Sequence, residues 1–213
     1  MKKWISAVMF GAVIVMLVAL AGVVNGNAQE REASSKSTLE NLQVAYNAET
    51  NAHARYLAYA KTAEEEGYGI AASLFRAGAF AEQIHYERHA GLIKKLGGTP
   101  KSVAETPVVK STKENLEASI KGETYESKVM YPDFVRQAKK EDIKDAVDAF
   151  EDARDAEGAH AQLYQRVLNN LALSQGLVRD YYVCPLCGNI LDSLTRSRCP
   201  ICATSSKEFK RIR

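Results

Sequence analysis

The chain has 213 residues, of which 46% are apolar and 25% are charged, and its net charge at pH 7 is +2. This length allows one well-packed core and a small appended domain. The nearly neutral charge and the lack of a basic stripe with interleaved aromatic residues argue against nucleic acid as a partner.

The first residues have the layout of an export signal or an N-terminal membrane anchor. An apolar run over 5–24 follows Lys2 and Lys3, and no charge follows before Glu30. The run is close to the roughly 20 residues that span a bilayer and is longer than the about 7 to 15 of a usual signal peptide. Small residues at 26–28 suit a signal peptidase, so we favour cleavage. We expect a folded part that is exported, periplasmic, or anchored in the inner membrane facing the periplasm.

The body of the chain is predicted to be helical, because it is rich in Ala, Glu and Lys and lacks alternating β-branched runs. Ser111 or Thr112 can cap the third helix, and Pro132 is expected to kink it. The segment 98–111 contains two prolines and forms the one long connection. Four helices with one crossover between the second and third predict a ferritin-like bundle. The four predicted helices cover 38–66, 69–97, 112–140 and 142–173.

Metal-ligand side chains interrupt the inward-facing apolar stripe of each predicted helix. In the fourth helix Glu157 and His160 lie three residues apart on one face, so both can reach a single ion. One such pair alone would be a solvated helix face. An unpaired buried carboxylate costs several kcal/mol, however, and the pattern recurs on all four stripes. The metal interpretation is therefore favoured, with candidate ligands Glu49, Glu82, His85, Glu123, Glu126, Glu157 and His160.

Spacing and charge support two metal ions. The interval from Glu49 to Glu82 nearly equals that from Glu123 to Glu157, so the two helical hairpins resemble copies of one metal-binding half. One Glu from each of two helices and Glu-x-x-His from the other two is the pattern of di-iron and di-manganese bundles. The five carboxylates of the candidate set nearly balance two divalent or two trivalent ions. Carboxylate and imidazole ligands suit iron or manganese.

Four further side chains lie near these ligands along the helices. Tyr56 and Tyr131 follow Glu49 and Glu123 by about two turns, where a hydroxyl could orient a ligand, although core packing is an equal alternative. His53 and His89 could also form hydrogen bonds that orient the ligands. Both are interpreted as helix-face residues and are left out of the ligand set.

The C-terminal part contains all four cysteines, in the two pairs Cys184–Cys187 and Cys199–Cys202. Two Cys-x-x-Cys turns at this spacing bring four sulfurs to one tetrahedral ion, so metal binding is favoured over two disulfides. The spacing does not separate iron from structural zinc.

Taken together, these motifs resemble the rubrerythrin family from about residue 38 to 213. The stretches that carry the resemblance are Ala48-Glu49-Thr50, Glu82-Gln83-Ile84-His85, Gly122-Glu123-Thr124-Tyr125-Glu126 with Met130-Tyr131-Pro132, Ala156-Glu157-Gly158-Ala159-His160, Cys-Pro-Leu-Cys-Gly at 184–188 and Cys-Pro-Ile-Cys-Ala at 199–203.

The resemblance implies two iron ions held by the seven carboxylate and histidine ligands, and a third iron, or zinc, held by Cys184, Cys187, Cys199 and Cys202. It implies reduction of hydrogen peroxide to water, with electrons entering at the cysteine site. It also implies that one iron shifts between Glu126 and His85 as its oxidation state changes. A homodimer is expected, with the cysteine centre of one subunit close to the di-iron site of the other.

The expected domains are a signal peptide or anchor over 1–28, a linker over 29–37, a di-iron bundle over 38–174, a linker over 175–181 and a rubredoxin-like domain over 182–213. Because an exported protein has no nicotinamide pool, the electron donor is unidentified and a membrane-linked or periplasmic carrier is expected. Two alternatives are a ferroxidase or iron-storage bundle with a structural zinc knuckle, and a manganese catalase-like enzyme without a donor.

Overall fold

The computed structural model of this chain describes residues 36–213. The predicted leader over 1–28 and nearly all of the predicted linker over 29–37 lie outside the described residues. Within 36–213, no helix is both long enough and apolar enough to cross a membrane.

The helical body is the predicted ferritin-like four-helix bundle, in which the third helix has two α-helical parts. A π-helical turn over Glu126–Met130 joins these parts. The prediction placed the irregularity at Pro132, but it begins earlier, at Glu126, and Pro132 lies in the first turn of the following helix. The helices are α1 (Thr38–Glu65), α2 (Gly69–Lys95), α3 (Thr112–Tyr125), α4 (Tyr131–Lys140) and α5 (Lys144–Asn169).

Equivalent caps begin the two hairpins of the bundle. Ser37 forms a capping box with Glu40 at the start of α1, and Ser111 forms one with Glu114 at the start of α3. In each box the serine hydroxyl accepts a hydrogen bond from the glutamate N–H, and the glutamate carboxylate accepts one from the serine N–H. These bonds satisfy two donors that the first helical turn leaves unpaired. The matching caps support the internal repeat that the glutamate spacing predicted.

The crossover between α2 and α3 is held by amide side chains on one stripe of α1. Gln43, Asn47 and Asn51 follow one another at intervals of four residues, and they bond to backbone groups of Lys101, Val103 and Glu105. Four helical residues rise about 6 Å, which matches two extended residues of about 3.3 Å each. The side chains therefore pair with every second residue of the extended segment.

The bundle core has two apolar clusters. One contains Leu42, Ile93 and Phe150. The other contains Tyr56, Phe75 and Tyr164 in the bundle together with Tyr181, Val183 and Ile190 from the C-terminal sheet. The C-terminal domain therefore shares a core with the bundle of its own chain.

The C-terminal domain contains the strands β1 (Tyr181–Val183), β2 (Ile190–Leu191) and β3 (Lys210–Ile212), which form an antiparallel sheet with strand order β2–β1–β3. We call Cys184–Gly188 the first knuckle and Cys199–Ala203 the second knuckle. The first knuckle lies between β1 and β2, so two of the four cysteines are in the turn that connects the central strand to β2.

Candidate metal centres

Six of the predicted ligands form one buried cage at the centre of the bundle. Glu49 comes from α1 and Glu123 from α3, and both side chains are fully buried. Glu82 and Glu157 are shared by two overlapping groups, which is the arrangement expected of carboxylates that bridge two ions. In each group the possible ligand atoms lie within 4.8 Å of one another. The groups are Glu49, Glu82, His85, Glu157 and Glu82, Glu123, Glu157, His160.

The ring orientation of both histidines suits metal ligation through Nδ1. Nε2 of His85 lies 3.0 Å from the Cys187 carbonyl oxygen, and Nε2 of His160 lies 3.0 Å from the Gly188 carbonyl oxygen. A carbonyl only accepts hydrogen bonds, so each Nε2 carries the proton. Each Nδ1 then faces the carboxylates, with His85 2.9 Å from Glu157 Oε1 and His160 2.8 Å from Glu157 Oε2. Histidines that bind a metal usually donate their other ring N–H to a carbonyl or carboxylate, which fixes the orientation of the ring.

The cage contains more negative charge than its hydrogen bonds can satisfy. One buried oxygen of Glu49 and one of Glu123 accept no hydrogen bond within the described part of the chain. Burial, with repulsion from Glu126, raises the pKa of Glu49 well above its usual range. Burial also raises the pKa of Glu123, assisted by Glu157 and Glu82. Cations between these oxygens would relieve both penalties, so the donor set fits a two-metal centre.

Glu157 has the opposite shift. Burial opposes its ionisation, but the contacts with His85 and His160 outweigh burial and lower its pKa well below the usual range. The two histidines therefore favour the charged form of this shared carboxylate.

Glu126, the seventh predicted ligand, is buried beside the cage but belongs to neither group. It lies in the π-turn. Burial, followed by repulsion from Glu157 and Glu82, raises its pKa to about 8, and Arg55 partly offsets this. Its place among the ligands stays a prediction.

The two predicted supporting tyrosines bond to carboxylates of the opposite hairpin. The Tyr56 hydroxyl donates to Glu123 Oε1 at 2.5 Å, and the Tyr131 hydroxyl donates to Glu49 Oε1. Tyr56 lies seven residues after Glu49, whereas Tyr131 lies eight after Glu123. The π-turn takes up the extra residue, so both tyrosines keep equivalent positions.

His89, which the sequence analysis left out of the ligand set, extends one of these contacts. Its Nε2 lies 3.1 Å from the Tyr131 hydroxyl oxygen, so His89 donates to Tyr131 and Tyr131 donates to Glu49. Tyr164 holds the equivalent position after His160, but its buried hydroxyl has no partner within the described residues. His89 and Tyr164 each lie four residues after a ligand histidine, and this shared spacing is the feature of the sequence that could have indicated a role for His89.

His53, the other histidine left out of the ligand set, does not contact the cage. Its Nδ1 lies 2.7 Å from the Ala79 carbonyl oxygen.

The four cysteines form a second candidate centre. All four are free thiols with their sulfurs within 4.8 Å of one another. Cys184 and Cys202 sulfurs are 3.4 Å apart, and those of Cys187 and Cys199 are 3.5 Å apart. These distances exceed the about 2.05 Å of a disulfide and approach the about 3.8 Å expected for sulfurs on one tetrahedral ion. The geometry fits iron or zinc and agrees with the predicted metal site.

Comparison with known proteins gives a consistent result. The family model described as Rubrerythrin matches residues 40–168. Nigerythrin of Nitratidesulfovibrio vulgaris is 40% identical over 174 residues, which cover 81% of this chain and 85% of that relative. Rubrerythrin-2 of Clostridium acetobutylicum is 33% identical over 176 residues, covering 81% and 95%.

Solved structures agree with the sequence comparisons. The fully reduced, all-ferrous state of nigerythrin has a TM-score of 0.78 and 38% identity, covering 84% of this chain and 88% of that one. A bacterioferritin of Desulfovibrio desulfuricans, solved with its di-iron site in different catalytic states, has a TM-score of 0.62 and 25% identity, covering 72% and 93%.

Proposed function

Because this chain belongs to the rubrerythrin family of di-iron proteins, we propose that it reduces hydrogen peroxide to water in oxidative-stress defence, with electrons delivered through the cysteine centre. The observation that carries this proposal is the pair of hydrogen bonds from His85 and His160 to the first knuckle. The same two histidines face the carboxylate cage, so they join the two candidate centres directly.

The reaction needs two electrons and two protons for each peroxide converted to two waters. A di-iron pair with a one-electron tetrathiolate iron is the chemistry that these two ligand sets supply when loaded. Glu82 and Glu157 hold the cage together from its centre, because each belongs to both groups. The two apolar clusters of the bundle core help to exclude bulk water from the buried cage.

Glu126 and His85 would adjust the charge of the cage. The four carboxylates of the two groups balance two divalent ions. Glu126 would supply a fifth carboxylate if the bound ions were trivalent, because they would then carry two further positive charges. Its pKa of about 8 makes the charged form costly unless that positive charge is present.

We propose that the folded part is exported, periplasmic, or anchored in the inner membrane facing the periplasm, because residues 1–28 combine a basic start with a long apolar run. A membrane-linked or periplasmic carrier would then be the donor. Cell fractionation tests this part, and recovery only in the cytoplasm would contradict it. A homodimer is the state that the family implies.

The test of the main proposal is rapid mixing of the fully reduced, iron-loaded chain with hydrogen peroxide and, separately, with dioxygen. We expect faster oxidation by peroxide, together with the red colour of a ferric tetrathiolate in the oxidised protein. Glu157→Gln should lose peroxide reduction, and Glu151→Gln, which removes a partly exposed carboxylate of the same helix that pairs with Lys139, should keep it. A colourless protein with one zinc per chain, or much faster oxidation by dioxygen, would favour the ferroxidase alternative.

A further inference from the structure

The two knuckles face different surroundings. Gly188, at the end of the first knuckle, is buried against the bundle, whereas Ala203, at the end of the second, is exposed. Cys184, Cys187 and Cys199 are buried, but Cys202 is partly exposed. Of the four sulfur ligands, Cys202 is therefore the one closest to solvent.

The equivalent ends of the two knuckles also bind different partners. Gly188 and Ala203 both adopt left-handed backbone conformations, with φ of 73° and 61°. The carbonyl of Gly188 accepts a hydrogen bond from His160, on the side of the cage. The carbonyl of Ala203 accepts one from Arg198 Nη1 at 2.9 Å, and Arg198 is exposed. A fixed positive charge therefore lies beside the more accessible cysteine.

The C-terminal part as a whole is basic. Residues 174–213 contain seven basic and three acidic side chains, a net charge of +4, whereas residues 36–173 contain 18 basic and 21 acidic side chains, a net charge of −3. Two of the three acidic groups are already paired, because Asp180 contacts Arg211 and Asp192 contacts Arg179.

Three exposed basic side chains flank the second knuckle, and none has an ion pair within the described part of the chain. Arg196 and Arg198 precede the knuckle, and Lys207 follows it. Arg198 forms a β-bridge with Ser205, and Lys207 N–H donates to the Ser205 hydroxyl, so both sides of this hairpin lie together.

We propose that the second knuckle and its three flanking cations form the docking surface for an electron-carrier protein with an acidic contact surface. In each encounter the carrier loses one electron, the ferric tetrathiolate becomes ferrous, and no atom or proton is transferred. We expect the carrier to have an acidic contact surface, because a positive surface speeds association with a negative partner. This inference rests on the proposed function and adds the site and the charge of the donor.

The first test follows reduction of the oxidised, iron-loaded full chain by its visible absorbance in stopped flow. The probes are the anionic reductant Fe(II)-EDTA and the cationic reductant hexaammineruthenium(II). Raising the ionic strength from about 0.01 to about 1 M shortens the Debye length from about 30 to about 3 Å. We expect the rate constant to fall at least about three-fold for the anionic probe and not to fall for the cationic probe.

Variants assign that charge effect to the second knuckle. The double variant Arg196→Gln/Arg198→Gln should slow the anionic probe about three-fold and flatten its salt dependence. Arg136→Gln, which removes an exposed arginine from α4, should leave both unchanged. Equal effects of the two variants, or a rate with the anionic probe that rises with salt, would overturn the proposal.

A binding measurement gives a second readout without electron transfer. The zinc-loaded full chain is titrated with flavodoxin, a small acidic carrier, and followed by NMR. We expect shift changes centred on Ala203 and Arg198 that disappear at high salt. Shift changes confined to the bundle would contradict the proposed docking site but not the proposed function. An as-purified chain with zinc in place of iron at the cysteines would contradict both this inference and the proposed function.

Discussion

At the level of single residues, each cage tyrosine fixes a carboxylate that its own hairpin does not supply. Tyr56 on α1 bonds to Glu123 on α3, and Tyr131 on α4 bonds to Glu49 on α1. The contacts cross between the two repeats, so each half orients a ligand of the other.

Removing either of these hydroxyls should weaken metal binding without unfolding the bundle. We expect Tyr56→Phe and Tyr131→Phe to lower the affinity for ferrous iron about 10- to 100-fold, because hydrogen-bond partners behind a ligand fix its orientation. Tyr164→Phe is the matched control, since its hydroxyl has no partner within the described residues. Competition with a chromophoric chelator measures the affinities. An equal loss in all three variants would show that the lower affinity does not come from the hydroxyl–carboxylate contacts of Tyr56 and Tyr131.

His89 should give the protein a measurable pH dependence of stability. Burial, with His85 and Arg88, lowers its pKa from 6.5 to about 3. Between these values the unfolded chain binds a proton that the folded chain does not, so His89 lowers stability as the pH falls through this range. The loss is about 1.4 kcal/mol per pH unit.

His89→Leu removes that proton uptake. The parent should be the more stable protein at pH 7, and its advantage should shrink by about 2 kcal/mol at pH 5. Urea unfolding of both proteins at the two pH values, at equal metal loading, measures this difference. A constant difference would mean that the folded protein binds the proton as readily as the unfolded chain.

At the level of elements, the predicted helices and the cage positions followed from side-chain periodicity. Glu49, Glu82 and Glu157 were placed on inward stripes by spacings of three and four residues, and the structure buries all three. The same rule worked in the third helix up to Glu126. Beyond it, a seven-residue step from Glu123 reaches Met130, whereas Tyr131 makes the contact with Glu49. The π-turn depends on a hydrogen-bonding pattern that apolar periodicity does not encode.

The crossover was predicted as a long connection, but its attachment to α1 was not. The sequence marks Gln43, Asn47 and Asn51 only as polar residues of a solvated face, because their backbone partners lie 52 to 58 residues away in sequence. Backbone groups carry no signature of their own in the sequence.

Asn51→Ala should release part of this crossover. Asn51 donates to the Val103 carbonyl and accepts from the Glu105 N–H, both at 2.9 Å. We expect a loss of about 1 to 3 kcal/mol in unfolding free energy and faster amide exchange at Glu105. Gln165→Ala, which removes an exposed amide from α5, serves as the control. Unchanged exchange at Glu105 would show that the segment is held by other contacts.

At the level of the whole molecule, the C-terminal domain closes the histidine end of the cage of its own chain. The resemblance implied contact between the two centres of different subunits, and the structure shows the contact within one chain. No periodicity links residue 85 to residue 187, so the sequence could not predict this contact. Tyr181 and Val183 also join the bundle core, which makes the junction apolar as well as hydrogen-bonded.

Gly188 is the residue on which this junction depends most closely. A Cβ atom there would lie 2.5 Å from His85 Nε2, well inside contact distance. The left-handed backbone alone is not prohibitive, because Ala203 adopts it in the second knuckle at a cost of about 1 to 2 kcal/mol. Gly188→Ala should therefore add a steric conflict with the cage histidine to this backbone cost.

We expect Gly188→Ala to keep the four-cysteine metal site and to separate it from the cage. The visible spectrum of the oxidised protein should be unchanged. Electron transfer from the reduced cysteine centre after one peroxide turnover should slow about ten-fold or more, because the bonds to His85 and His160 are strained or broken. Limited proteolysis between the bundle and β1 should become faster. Ala203→Gly, the same exchange in reverse on the solvent side, should change neither the rate of electron transfer nor the rate of proteolysis. Parent-like electron transfer in Gly188→Ala would show that these two hydrogen bonds are not the route between the centres.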